Sequence, residues 1–157
     1  MFRIFCVSIL VVLSASWATS SIAQEQFGVW RFDCDQGPCQ GHFALTSPDN
    51  NELAVGMSLI HEQSQNATTL VVKTPILTAL PPGVRLEVGE DFAEQVILQF
   101  CDESGCTGFY QLTPDQVSRL RTADSATVRY FKYGQRNPKA YNFSIAGFGG
   151  VLDRLKK

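Results

Sequence analysis

The sequence predicts an all-β fold, an antiparallel sandwich with two short helices. Three observations carry this: strict alternation of apolar and small or polar residues, turn chemistry between the alternating runs, and two short segments with helical signatures. In Leu53-Ala54-Val55-Gly56-Met57-Ser58-Leu59 every large apolar residue is at an odd position, as in a strand with one face in a core. Val96, Leu98 and Phe100 alternate with Gln95 and Gln99, with Ile97 making the outer face partly apolar. Tyr141, Phe143 and Ile145 alternate with Asn142 and Ser144. Further strands are expected at 27–33, 42–46, 69–73, 85–88, 108–112 and 127–133.

Turn residues separate these runs: Gln36-Gly37-Pro38, Ser47-Pro48-Asp49-Asn50-Asn51, Pro81-Pro82-Gly83, Gly89-Glu90-Asp91 and Gln135-Arg136-Asn137-Pro138. Many short strands with this punctuation favour a sandwich over an α/β fold. The first helix is marked by Thr113-Pro114-Asp115-Gln116, which supplies an N-cap, a proline at the first helical position and a capping-box glutamine; Val117 and Leu120 follow as its apolar stripe. The second is marked by Val151, Leu152 and Leu155 at helical spacing, with Arg154, Lys156 and Lys157 complementing the last turn. Gly147-Phe148-Gly149-Gly150 lacks the lysine and context of a phosphate loop and is expected to turn the chain from strand to helix.

Residues 1–23 read as an export signal. Arg3 provides the positive start, and the apolar run from Ile4 to Leu13 is too short to cross a membrane, which takes about 20 residues. Ser21-Ile22-Ala23 fits a cleavage site. Cutting after Ala23 leaves residues 24–157, one domain's worth of chain without a transmembrane segment, and removes Cys6. The expected location is the periplasm of a Gram-negative cell or beyond it.

Four cysteines remain, in two pairs with four intervening residues each: Cys34 with Cys39 and Cys101 with Cys106. An oxidising compartment favours structural disulfides. Local pairing would contribute roughly 2 kcal/mol per loop on the chain-entropy account, and crossed pairing roughly 4 kcal/mol; connectivity does not follow from sequence. We expect the local pairs. A four-cysteine zinc site or a redox pair are the competing readings; the first is weakened by export and the second lacks the two-residue spacing at a helix start.

The mature chain carries 12 Asp/Glu against three Lys/Arg up to Cys106, and three against nine thereafter. Pairing of strands from the two halves is the expected outcome. A basic surface for an anionic partner, such as lipopolysaccharide, host glycan or nucleic acid, is the alternative. Tyr130, Phe131 and Tyr133 interleaved with Arg129 and Lys132 resemble a ligand surface, but a strand with one core face accounts for them more simply. His42 and His61 sit on separate strands and form no ligand pair by spacing. Glu87, Glu90, Asp91 and Glu94 lack calcium-loop spacing, and no Gly-x-Ser-x-Gly elbow occurs. No catalytic, cofactor or metal residue is therefore nominated, and no nucleic-acid partner.

As an ordered set, several segments resemble one family. They are Phe27-Gly28-Val29-Trp30 leading into Cys34 and Cys39; Pro75-Ile76-Leu77 with Leu80-Pro81-Pro82-Gly83-Val84-Arg85-Leu86; Phe100-Cys101 to Gly105-Cys106; and Phe143-Ser144-Ile145-Ala146-Gly147-Phe148. Their order and spacing resemble the invasion-associated locus B family of small exported proteins of Gram-negative bacteria, from about Phe27 to Leu155. The resemblance implies an immunoglobulin-like β-sandwich, no cofactor and no catalytic residues. It carries over Cys34, Cys39, Cys101 and Cys106 as structural cysteines. Some members are linked to entry into host red blood cells, and no motif here carries that activity over. The function expected is a binding module whose partner is a protein, an envelope component or a host surface. Strand addition through a sheet edge in a structural or chaperone-like role is the first alternative, and a metal- or thiol-dependent enzyme the second.

Overall fold

The computed structural model describes residues 25–34, 37–90 and 92–157. The expected export signal, residues 1–23, lies outside the described residues. Eleven strands and two helices follow in the order β1 (Glu25–Phe27), β2 (Trp30–Asp33), β3 (Gln40–Thr46), β4 (Leu53–Glu62), β5 (Ala67–Thr74), β6 (Val84–Val88), β7 (Phe92–Val96), β8 (Leu98–Asp102), β9 (Gly105–Leu112), α1 (Pro114–Thr122), β10 (Ser125–Tyr130), β11 (Lys139–Ser144) and α2 (Phe148–Leu155). All pairing is antiparallel. One sheet runs β1-β2-β3-β4-β5-β9-β8 and the other β11-β10-β6-β7. The two-sheet immunoglobulin-like sandwich with two short helices is thus present, with its large sheet built mainly as a meander.

Alternation decides which face each strand buries. Val55, Met57 and Leu59 of β4 join Leu70 and Val72 of β5, and meet Val84, Leu86, Val128 and Phe143 from the small sheet in one core. Tyr130 is buried in that core, and its hydroxyl donates to the Ala54 carbonyl across the sandwich at 2.8 Å. Burial raises its pKa above the ordinary phenol value of 10.0, so the group stays a donor.

The capping box forms as expected. Thr113 Oγ1 accepts from the Gln116 amide at 3.3 Å, and Gln116 Oε1 accepts from the Thr113 amide at 2.8 Å. Gln116 Nε2 also donates to Glu94 on β7 and to the Tyr110 hydroxyl on β9, both at 2.7 Å, so α1 is tied to both sheets. Helix α2 buries Phe148, Val151, Leu152 and Leu155, and packs on β1 to β4.

Two expected strands divide. The segment 27–33 is a hairpin: Phe27 pairs with Trp30 around Gly28 and Val29, and Gly28 has φ +58°. This places the glycine-containing turn against the segment before α2. Val29 N donates to the Ala146 carbonyl at 3.0 Å, and Trp30 Nε1 to the Ile145 carbonyl at 3.2 Å. Gly147, at φ +96°, lies so close that a Cβ there would overlap the Phe27 carbonyl. The glycine does turn the chain from strand into helix, and it also interlocks two distant segments.

The second division is at Ile97. The run from Val96 to Phe100 spans two strands in different sheets, β7 and β8. Val96 and Leu98 are both buried, while Ile97 faces solvent at the corner. A register shift between Leu98 and Phe100 then turns Phe100 outward, so it leaves the core face its spacing predicts.

Candidate interaction surface

Connectivity gathers four connections at one end of the sandwich. They are the β3–β4 turn (47–52), the β5–β6 connection (75–83), the β8–β9 turn around Glu103 and Ser104, and the β10–β11 loop (131–138). The second and fourth lie directly on one another. Ala79 N donates to the Phe131 carbonyl at 2.8 Å, Tyr133 N donates to the Leu77 carbonyl at 2.7 Å, and Thr78 bridges to Lys132 between them. This pairing ends β10 at Tyr130, short of the expected 133.

The joined loops present large apolar side chains to solvent. Ile76 is 54% exposed, Leu77 70%, Leu80 40% and Tyr133 81%. Leu77 holds φ +66°, a conformation that costs a branched residue roughly 1–2 kcal/mol. Local bonds fix it there: Thr78 Oγ1 donates to the Pro75 carbonyl at 2.7 Å, and the Leu77 carbonyl accepts from Tyr133. Non-glycine residues held in the left-handed region cluster at active sites, ligand clamps and switch regions. Beside it, Glu52, Leu53, Pro75, Ile76, Leu77, Glu103, Ser104 and Lys132 line a shallow depression of about 380 Å³.

Electrostatics at this end are mixed. Lys132 and Arg136 belong to the β10–β11 connection, which holds no carboxylate, and Lys139 opens β11. Asp49, Glu52 and Glu103 lie on the other two turns, and Asp102 ends β8. Ser104 donates to Asp102 through its side chain at 2.5 Å and its amide at 2.8 Å, which holds that carboxyl below the ordinary 3.8; Lys73 bonds the same serine hydroxyl.

The remaining sequence-nominated residues disperse. Cys34 is joined to Cys39, closing the β2–β3 connection, and Cys101 to Cys106, directly opposite one another in the β8–β9 hairpin. The two bonds lie at opposite ends of the large sheet. His42 Nδ1 approaches Asp33 Oδ2 at 3.2 Å without hydrogen-bond alignment. His61 Nδ1 is 3.1 Å from Thr68 Oγ1; partial burial, then Lys156, lower its pKa from 6.5, against a smaller opposing effect of Glu62. Among the described residues, two carboxylates do not converge on it. In the acidic cluster, Glu87 is bonded to Arg85 and Arg129, Glu94 to Gln116, and Asp91 lies outside the described residues. Among the described residues no group of three or more His, Cys, Asp or Glu could hold a metal, and no helix is long and apolar enough to cross a membrane. Of the ion pairs formed, Glu87–Arg129 and Glu25–Arg154 join the acidic and basic halves, at 3.1 and 2.9 Å.

The outer face of the large sheet carries a second apolar feature. Phe100 and Phe109 are 47% and 39% exposed, with ring centroids 6.3 Å apart, near exposed Ile97. Sequence patterning missed both surfaces. A signal for the first was present: Ile76, Leu77 and Leu80 lie among Pro75, Pro81 and Pro82, where a sheet face cannot form.

Known proteins resemble this chain along most of its length. An invasion protein B homolog of Brucella abortus (strain 2308) is 21% identical over 141 residues, covering 87% of this chain and 81% of the relative. Its counterpart from biovar 1 (strain 9-941) matches equally. The crystal structure of invasion associated protein B from Bartonella henselae superposes with a TM-score of 0.75 at 20% identity, over 84% of this chain and 94% of that one. The family model for invasion associated locus B protein matches residues 30–156, and the chain belongs to that family.

Proposed function

We propose that the chain is an exported, non-catalytic binding module that acts at the cell envelope or a host surface through the tip formed by Ile76, Leu77, Leu80 and Tyr133. The observation that carries this reading is Leu77, held at φ +66° with its side chain 70% exposed. The backbone conformation serves the pairing of the two loops, but outward display of the aliphatic side chain adds nothing to the free monomer. Residues 1–23 act as the export signal, and residues 24–157 as a single domain in the periplasm or outside the cell. The joined pairs Cys34–Cys39 and Cys101–Cys106 support that location and serve as structural staples at the two ends of the large sheet. A host-surface partner is included because the relatives bear the name invasion protein.

The paired variant Ile76→Ser with Leu77→Asn tests this, since asparagine tolerates the left-handed conformation. The exported protein should remain folded and lose association with the envelope fraction or with host cells. Undiminished association would refute the assignment.

A second reading, strand addition in a structural or chaperone-like role, is favoured by β8. It is an edge strand of the large sheet with Phe100 exposed and Ile97 beside its first residue. Phe100→Ser should then reduce partner capture while the tip variant does not.

A further inference from the structure

We infer that the partner of the tip is an anionic lipid surface, with Ile76, Leu77 and Leu80 entering its apolar layer and Lys132 and Arg136 meeting headgroup phosphates. The inference rests on the binding reading above and names its partner.

The backbone of the tip is the first argument. A loop entering hydrocarbon must satisfy its own polar groups, because nothing there can replace water. Five carbonyls of the exposed loops are satisfied in this way. Leu77 O accepts from Tyr133 N at 2.7 Å, Pro75 O from Thr78 Oγ1 at 2.7 Å, and Phe131 O from Ala79 N at 2.8 Å. Leu80 O accepts from Gly83 N at 2.9 Å, and Lys132 O from Gln135 N at 3.0 Å. A partner at this surface is therefore offered side chains, whereas β8 offers an unpaired strand edge.

Side-chain chemistry is the second argument. Three exposed aliphatic residues, a tyrosine with 81% of its surface exposed, and cations on the tyrosine's own connection supply the side-chain types found at a membrane interface: hydrocarbon, amphipathic ring and cation. Among the described residues, Lys132, Arg136 and Lys139 form no ion pair with a carboxylate, so their charge is available to phosphate. Asp49, Glu52 and Glu103 lie on the neighbouring turns, Glu52 and Glu103 lining the same depression as Ile76, Leu77 and Lys132, so the β10–β11 loop must lead the approach to an anionic surface.

The test uses the chain as the cell exports it, sedimented with vesicles of phosphatidylcholine alone and with vesicles containing phosphatidylglycerol. Binding is expected to require the anionic lipid and to weaken with salt. Ile76→Ser with Leu77→Asn should lower the partition coefficient at least about tenfold, with near-ultraviolet circular dichroism unchanged. Lys132→Gln with Arg136→Gln should lower it several-fold. Lys156→Gln with Lys157→Gln, at the opposite end, removes the same charge and should leave it unaltered. Absence of vesicle binding, equal loss from the two charge variants, or unchanged binding of the aliphatic variant overturns the lipid assignment. If vesicles fail while the aliphatic variant still loses envelope or host-cell association, the tip binds a protein and only the lipid assignment falls. If association also persists, the binding reading falls with it.

Discussion

Replacing Gly147 by alanine measures how strongly the two ends of the chain are interlocked. The residue has φ +96°, and a side chain there would overlap the Phe27 carbonyl. The left-handed conformation alone costs an alanine roughly 1–2 kcal/mol. Relieving the overlap moves the β1–β2 turn away from Ala146, which loses the Val29 amide bond and lengthens that of the buried Trp30 indole. Those two bonds add about 2–3 kcal/mol, the larger share from the indole, whose N–H is left without water. Gly147→Ala should therefore destabilise by about 3–5 kcal/mol. Gly134→Ala is the control, because Gly134 has φ +76° but open space around its Cβ position, and it should cost only about 1–2 kcal/mol. Urea unfolding reports both, followed by the fluorescence of Trp30; the other tryptophan, Trp17, belongs to the proposed signal. Equal destabilisation by the two substitutions would refute the interlock.

Met57→Asp should abolish cooperative unfolding, whereas Ser58→Asp, on the outer face of the same strand, should cost under about 1 kcal/mol; similar effects would mean the register of β4 is wrong. Cys34→Ser and Cys39→Ser should each cost about 2 kcal/mol and the double variant no more, as partners in one bond must; additive losses by denaturant titration would separate them. The hydrogen bonds from Arg85 and Arg129 lower the Glu87 pKa from 4.5. Its contribution is thus complete above that value and is lost as pH falls through the lower folded pKa. Glu87→Gln should cost no more than about 1 kcal/mol near neutrality and nothing in strong acid; a cost independent of pH in urea titrations would exclude the ionic origin.

Much of the sandwich was legible because alternation reports directly which side chains face a core. Leu53 to Leu59 shows this, and so does the capping box at Thr113 and Gln116. Alternation says nothing about which sheet a strand joins. Val96 and Leu98 keep the same rhythm across a corner between sheets, so β7 and β8 read as one strand, and only the register shift after Leu98 reveals why Phe100 faces water. The hairpin at Gly28 hid for a related reason. Its turn has two residues, and Phe27, Trp30 and Phe32 read as one apolar run. The tip was the least legible part. Its geometry depends on pairing of Leu77–Ala79 with Phe131–Tyr133, a contact between segments more than fifty residues apart, and on a left-handed leucine that no local propensity favours.

Site-directed photo-crosslinking in the cell that makes the protein tests the central claim most directly. A photoreactive side chain is placed at Leu77 in one variant and at Thr127, on the outer face of the small sheet, in another. The account predicts adducts to an envelope or host-surface component from position 77 and none from position 127. Equal yields from both positions, or adducts from 127 alone, would contradict it.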